Sequence, residues 1–144
     1  MCARLLICMI TIALFAVHQT NAAMTMEQIE KTALNVRNTC TSKSHADPGA
    51  VAGIQNGVFP DDNKPLKCYT LCVMKTMRTF KNGRIDDGMM IKQVDLMLPA
   101  EMAGPLKAVA TKCAAEPPTG DDCSTTYQFV KCSYSTDPDH FFFP

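Results

Sequence analysis

The chain has 144 residues, 47% of them hydrophobic, and its 14 basic and 14 acidic residues give a formal net charge of zero. A neutral chain with interspersed charges offers no basic stripe for nucleic acid or anionic lipid, so nucleic acid is not expected as a partner. The length suits one domain, and no repeat, low-complexity tract or linker divides it.

The N-terminal segment has the order of a secretory signal peptide. A positive start is followed by an apolar run from Leu5 to Val17, and then by polar and small residues as far as Ala23. The run is shorter than the roughly 18 apolar residues of a membrane-spanning helix. We therefore expect residues 1–22 to be a signal peptide, cleaved after Ala22 or Ala23, and residues 23–144 to be one secreted domain. An uncleaved N-terminal anchor is the less favoured alternative.

Helix start and stop signals divide residues 23–144 into six segments. The predicted helices run from about Thr25 to Cys40, from Asp47-Pro48 to Gly57, from Lys64-Pro65 to Asn82-Gly83, from Asp86 to Pro99, from Ala100 to Ala115, and from Asp122 to Tyr134. Pro105 falls inside the fifth helix, as a kink or a late start. No segment alternates with the period of a strand, so the sequence predicts an all-α, compact six-helix domain.

Apolar residues recur at helical spacing and predict one shared apolar interior. The residues that would face it are Ile29, Ala33 and Val36 on the first helix, Met77 on the third, Ile91, Val94 and Leu98 on the fourth, and Leu106 and Val109 on the fifth. This pattern suits both an ordinary core and the wall of a binding cavity, and it does not separate the two. Eight of the 10 methionines lie beyond position 23, which favours an adaptable cavity wall.

Six cysteines remain after the signal peptide, and in a secreted domain they indicate three disulfides rather than metal ligands. They are Cys40, Cys68, Cys72, Cys113, Cys123 and Cys132. Cys68 and Cys72 stand one helical turn apart, with Cβ atoms roughly 5–6 Å from each other, which is too far for a disulfide. Cys123 and Cys132 fall on opposite sides of the sixth helix. Excluding these two bonds leaves ten of the fifteen pairings open.

The gaps between the six cysteines are 27, 3, 40, 9 and 8 residues. Together with the segments 66–75 and 137–144, this pattern resembles the six-cysteine insect odorant-binding proteins over residues 23–144. The resemblance implies an apolar cavity inside interlocked disulfides, paired Cys40–Cys72, Cys68–Cys123 and Cys113–Cys132. It further implies a secreted carrier, without enzymatic activity, metal or cofactor, that takes small hydrophobic odorants or pheromones through sensillum lymph to olfactory receptors.

The C-terminal residues Phe141, Phe142, Phe143 and Pro144 would make a poor free tail, because exposed aromatic rings promote aggregation. Relatives with such a tail fold it over the cavity, so the resemblance implies a lid from which the Phe142 ring enters the pocket. Such a lid needs an anchor for its terminal carboxylate. The candidates for this latch are Arg37 and Tyr69, although Arg37 fits a solvated surface charge equally well.

His140 is the candidate for pH-dependent release, because a histidine changes charge between about pH 5 and 8. The hypothesis is that acidification near a membrane loosens the lid. For this residue alone, a plain solvated histidine is the favoured reading.

Two other protein classes fit less well. A secreted phospholipase needs a Cys-Cys pair and a His-Asp pair, and neither occurs here; a saposin-like protein needs a basic amphipathic face. A carrier outside olfaction, which scavenges amines or lipids, shares every feature above, and Asp95 beside the fourth apolar face is its candidate for an amine. The expected partners are therefore small hydrophobic volatile ligands, then an olfactory receptor or a neuronal membrane, with the chain a monomer or weak homodimer.

Overall fold

A computed structural model describes residues 24–144, so the predicted signal peptide lies outside the described residues. Within them the chain forms α1 (Met26–Ser44), α2 (Pro48–Ile54), α3 (Lys64–Thr76), α4 (Asp87–Met97), α5 (Ala100–Ala114) and α6 (Asp122–Thr136). A two-stranded antiparallel hairpin, β1 (Phe80–Lys81) and β2 (Arg84–Ile85), lies between α3 and α4. The predicted six-helix fold is confirmed, and none of these helices is long and apolar enough to cross a bilayer.

Side-chain caps explain where most of the helices begin. Thr25 forms a capping box with Gln28: its hydroxyl accepts from the Gln28 N–H at 3.2 Å, and its own N–H donates to Gln28 Oε1 at 2.9 Å. The other caps are Asp47, Asn63, Asp86 and Asp121, each of which accepts from a main-chain N–H three residues further on. α5 begins after Pro99 without a side-chain cap and continues through Pro105.

α3 ends at Thr76, earlier than the predicted end at Asn82-Gly83. Arg78 has a φ of 57°, a left-handed conformation that a helix cannot continue through. Asn82 and Gly83, with φ values of 52° and 73°, form the hairpin turn, since Phe80 pairs with Ile85 and Lys81 with Arg84. Positive φ at both central residues is the geometry of a type I′ turn, and Asn-Gly is its preferred sequence. The prediction missed the hairpin because two-residue strands are too short to show alternation.

The buried core lies where α3 packs against α1 and α6. Its largest fully buried side chains are Tyr69, Ile54, Leu66, Met74, Val73 and Val130. Thr70 and Thr126 are buried in the α3–α6 interface, where their hydroxyls are 2.9 Å apart and hydrogen-bonded. α3 is therefore the central helix of the domain.

Three disulfides connect four of the helices into one covalent chain. Cys40–Cys72 links α1 to α3, Cys68–Cys123 links α3 to α6, and Cys113–Cys132 links α5 to α6. Their Cα atoms are 5.5, 4.5 and 5.8 Å apart, within the usual range for a disulfide. These are the pairings that the resemblance implied. α4 carries no cysteine and no fully buried residue.

Candidate binding cavity

A cavity of about 170 Å³ lies between α3, α4, α5 and α6, the N-terminal part of α1 and the C-terminal segment 137–144. Its wall is almost entirely apolar. It contains thioethers from Met74, Met77, Met90 and Met97 and phenyl rings from Phe129, Phe141, Phe142 and Phe143. Flexible thioethers and flat rings adapt to ligands of different shape.

The face of α4 that lines the cavity is rotated by about one residue position from the face that the sequence predicted. Its members at the cavity are Met90, Gln93, Val94, Met97 and Leu98, the last being the C-cap, with the i, i+3, i+4, i+7, i+8 spacing of a helix face. Val94 and Leu98 were predicted, but Ile91 does not line the cavity. At about 100° per residue, it falls roughly a quarter turn from the centre of this stripe. The polar Gln93 concealed the true face from the apolar pattern.

α1 reaches the cavity through Ile29, whereas Ala33 and Val36 do not line it. Val36 packs instead against the buried core. Further along α1, Cys40 is bonded to Cys72 of α3 and is fully buried. The remaining predicted wall residues all line the cavity, namely Met77, Leu106, Val109 and Phe142.

α6 contributes three wall residues that the sequence reading did not assign to the site: Phe129, Val130 and Ser133. Val130 is fully buried and Phe129 is 5% exposed. Their i, i+1, i+4 spacing is typical of one helix face and could have predicted a wall on α6. The prediction assigned this helix to the disulfides instead, because it carries two cysteines and several polar residues.

The C-terminal segment covers one side of the cavity. The Phe141 ring packs edge-on against Tyr134 at 5.2 Å between centroids, and the Phe143 ring against Tyr69 at 6.3 Å. Pro144 is buried, whereas Phe142 is 43% exposed. Phe142 thus lines the cavity at its rim, whereas the rings on either side of it pack against Tyr134 and Tyr69.

Two side chains hold the end of this segment through its main-chain oxygens. Gln55 Nε2 donates to the Phe143 oxygen, and the Tyr69 hydroxyl donates to the Pro144 oxygen. Burial raises the pKa of Tyr69 to about 12, and the nearby Arg37 guanidinium acts in the opposite direction. The phenol is therefore a protonated donor at physiological pH. Of the two predicted latch residues, Tyr69 contacts the segment directly.

Arg37 lies beside the Tyr69 phenol, and its Nε atom is buried without a hydrogen-bond partner within residues 24–144. Arg37 therefore lies next to the side chain that holds the end of the segment. Gln55, the second donor, is the C-cap residue of α2 and is followed by Asn56, and no pattern in the sequence marked it for this contact.

His140 and Asp137 lie in the cavity wall and bind each other, with His140 Nδ1 2.9 Å from Asp137 Oδ2. Asp95 is not in the wall; its carboxylate pairs with Lys107 Nζ at 2.7 Å on the surface. Asp95 therefore does not provide the amine site that was considered. Within residues 24–144 no group of three or more potential ligands could hold a metal ion.

Helices held by three disulfides around an apolar cavity define a small helical binding protein. Comparison with known proteins identifies the family: the model of the PBP/GOBP family matches residues 22–136. The chain is 32% identical to general odorant-binding protein 72 of Anopheles gambiae, over 85% of this chain and 100% of that protein. The chain belongs to the PBP/GOBP family, whose members are secreted carriers of small hydrophobic ligands and not enzymes.

Solved structures agree with this assignment. Odorant binding protein 5 of Apis mellifera is 44% identical, with a TM-score of 0.80 over 85% of this chain and 100% of that one. Odorant binding protein 4 of Chrysopa pallens is 32% identical, with a TM-score of 0.76 over 84% and 99%.

Proposed function

We propose that this protein carries a small hydrophobic odorant or pheromone in its cavity, through aqueous extracellular lymph and towards olfactory receptors. The observation that supports this most is the apolar cavity of about 170 Å³ with the C-terminal segment across one side. An apolar cavity of roughly 150 Å³ stays dry and binds benzene. A volume slightly above that value favours a compact ligand over a long chain.

The C-terminal segment acts as the lid in this proposal. Phe141 and Phe143 are fixed against Tyr134 and Tyr69, and the Pro144 oxygen accepts from the Tyr69 phenol. These contacts support a lid that is closed without ligand. A closed lid would shield an apolar ligand from water and slow its loss during transport.

Displacement of an apolar fluorescent probe from the oxidised, signal-free protein tests the proposal. We expect micromolar probe binding, and we expect compact volatile compounds to displace the probe better than long-chain ones, because of the cavity volume. The reduced, unfolded protein is the control and should not bind. The carrier proposal would be contradicted if the folded protein, with all three disulfides formed, did not bind the probe.

Release at low pH is the second part of the proposal, with His140 as the titrating group. Histidine side chains change charge between about pH 5 and 8, and a cationic imidazole at position 140 would lie beside the apolar Phe141 and Phe142 rings of the cavity wall. Asp137 offsets part of this cost, and the Tyr69 phenol, whose pKa is raised to about 12, stays a protonated donor in acid. We therefore expect acid to weaken the lid rather than to detach it.

The expected result is a severalfold lower ligand affinity at about pH 5 than at about pH 7.4, measured by probe titration. His140→Gln should abolish the difference. Equal affinities of the unmodified protein at the two pH values would contradict release by acid.

A carrier that works outside olfaction would use the same cavity, and the tissue in which the protein is made separates the two uses. An amine ligand loses its candidate partner, since Asp95 pairs with Lys107 outside the cavity. A monomer or weak homodimer stays a prediction, as does contact with a receptor or a neuronal membrane.

A further inference from the structure

Two hydroxyl groups in the cavity wall, those of Thr79 and Ser133, already donate their hydrogens to main-chain oxygens. Thr79 Oγ1 donates to the Met74 oxygen at 3.2 Å, and Ser133 Oγ donates to the Phe129 oxygen at 2.9 Å. A hydroxyl has one hydrogen, so these side chains can only accept a hydrogen bond from a ligand.

Gln93 retains more hydrogen-bonding capacity than any other group on the α4 wall. Its Nε2 donates to the main-chain oxygen of Met77 at 2.5 Å. That oxygen can only accept, so the nitrogen must be the amide atom that faces it, and the orientation of the amide follows. The Oε1 acceptor and the second N–H hydrogen are left for a ligand.

The residues around Gln93 offer a ligand few other hydrogen-bonding groups. Its neighbours in the α4 stripe are Met90, Val94 and Met97, which form no conventional hydrogen bonds. At the C-terminal segment, Asp137 and His140 are bonded to each other. A polar ligand atom placed against the α4 wall therefore meets one side chain that can satisfy it, and leaving such an atom unpaired in an apolar cavity is costly.

We propose that Gln93 is the specificity-determining residue of the cavity, and that it selects compact apolar ligands with one hydroxyl group, which are alcohols or phenols. This inference rests on the proposed carrier function and names its ligand class. A ligand hydroxyl donates to Oε1 and accepts from the second N–H, so it matches both free functions of the amide. Thioethers and phenyl rings make favourable contacts with an aromatic ring, and the volume admits one ring with a short chain.

Three probes of equal heavy-atom number test the proposal: 2-phenylethanol, its isomer benzyl methyl ether, and propylbenzene. We expect the oxidised protein to bind the alcohol about fivefold more tightly than the ether, the value of one net hydrogen bond. Gln93→Met keeps the length of the side chain and removes both hydrogen-bonding functions. It should equalise the two isomers and leave the affinity for propylbenzene within about twofold of the original.

Ser133→Ala is the matched control, because it removes another wall oxygen that can accept from a ligand hydroxyl; if Gln93 is the group that the hydroxyl meets, this variant keeps the preference for the alcohol. The proposal is overturned if the unmodified protein does not prefer the alcohol, or if Gln93→Met retains that preference. Should Gln93→Met fail to fold, Gln93→Leu, which also removes both hydrogen-bonding functions, takes its place and should likewise equalise the two isomers. Failure of the proposed carrier function gives a different result from failure of this inference, because an apolar fluorescent probe would then not bind to the unmodified protein at all.

Discussion

Removal of the residues from Phe141 onwards should lower the affinity for an apolar probe by at least about tenfold. The Phe141 and Phe143 rings pack against Tyr134 and Tyr69, and burial of such a ring contributes about 1.5–3 kcal/mol. Without them the cavity is open to water on one side. The free energy of unfolding should fall by about 2–4 kcal/mol as well. Probe titration and denaturant unfolding of the truncated protein measure the two effects.

Two tyrosine variants separate loss of the lid from general destabilisation. The Tyr69 hydroxyl donates to the oxygen of Pro144, and the Tyr127 hydroxyl donates to the oxygen of Pro60, away from the lid. Phenylalanine at either position should lower the free energy of unfolding by about 1 kcal/mol, but only Tyr69→Phe should weaken probe binding. A truncated protein with unchanged probe affinity would show that the segment is not a lid.

The same two phenols determine how the fold responds to alkali. Burial raises the pKa of both Tyr69 and Tyr127 to about 12, from an ordinary value of 10.0. In the unfolded chain these groups ionise first, so their contribution to stability is complete below about pH 10 and is lost as the pH rises through about 12. The Tyr69 contact with the lid is therefore intact under any mildly acidic condition.

Replacement of both Cys68 and Cys123 by alanine should lower the free energy of unfolding by about 4 kcal/mol, the largest change we expect from removing one disulfide. The bond joins α3 to α6 and closes a sequence separation of 55 residues. On the chain-entropy estimate its main effect is to restrict the unfolded chain. Small domains have a total stability of only about 5–15 kcal/mol, so the doubly substituted protein should be marginally stable.

The Cys113–Cys132 bond provides the matched comparison, because it also ends on α6 but has a separation of 19 residues. Alanine at both of its positions should cost about 3 kcal/mol. Equilibrium unfolding in guanidinium chloride, with the other two bonds intact, measures both variants. A larger loss for the shorter loop would contradict the entropic explanation and point to packing around Cys113, which is 1% exposed.

Local chemistry accounts for how much of the fold could be predicted. Capping residues such as Thr25, Asp47 and Asp86 set helix starts through hydrogen bonds to N–H groups three residues away, so a short window of sequence contains the information. The predicted end of α3 was wrong because Arg78 has a left-handed conformation, which an arginine in the sequence does not signal. The Asn82-Gly83 turn was visible in the sequence, but it was interpreted as a helix stop.

The cavity was harder to predict, since its wall depends on how the helices are oriented around each other. Periodicity correctly identified Val94 and Leu98 as wall residues on α4. It predicted Ile91 in place of Met90, because the polar Gln93 interrupts the row of apolar residues that lines the cavity. On α1 the pattern was correct for Ile29 and wrong for Ala33 and Val36, and Val36 packs against the buried core instead. Whether any of the wall residues contacts a ligand stays a prediction.

The covalent chain of helices has a mechanical consequence for the cavity. Disulfides connect α1, α3, α6 and α5 in series, and each of these helices forms part of the wall. α4 is the remaining helical wall and has no covalent link: it is held by packing, by hydrogen bonds from Gln93 to Met77 and from Met24 to Met97, and by an exposed ion pair between Asp95 and Lys107, which contributes little. A ligand too large for the cavity should therefore displace α4 first, because the other helices of the wall are covalently linked to each other. The volume of about 170 Å³ is then the value of the cavity without a ligand, and a larger ligand can enter only by displacing α4, which lowers its affinity relative to a compact one.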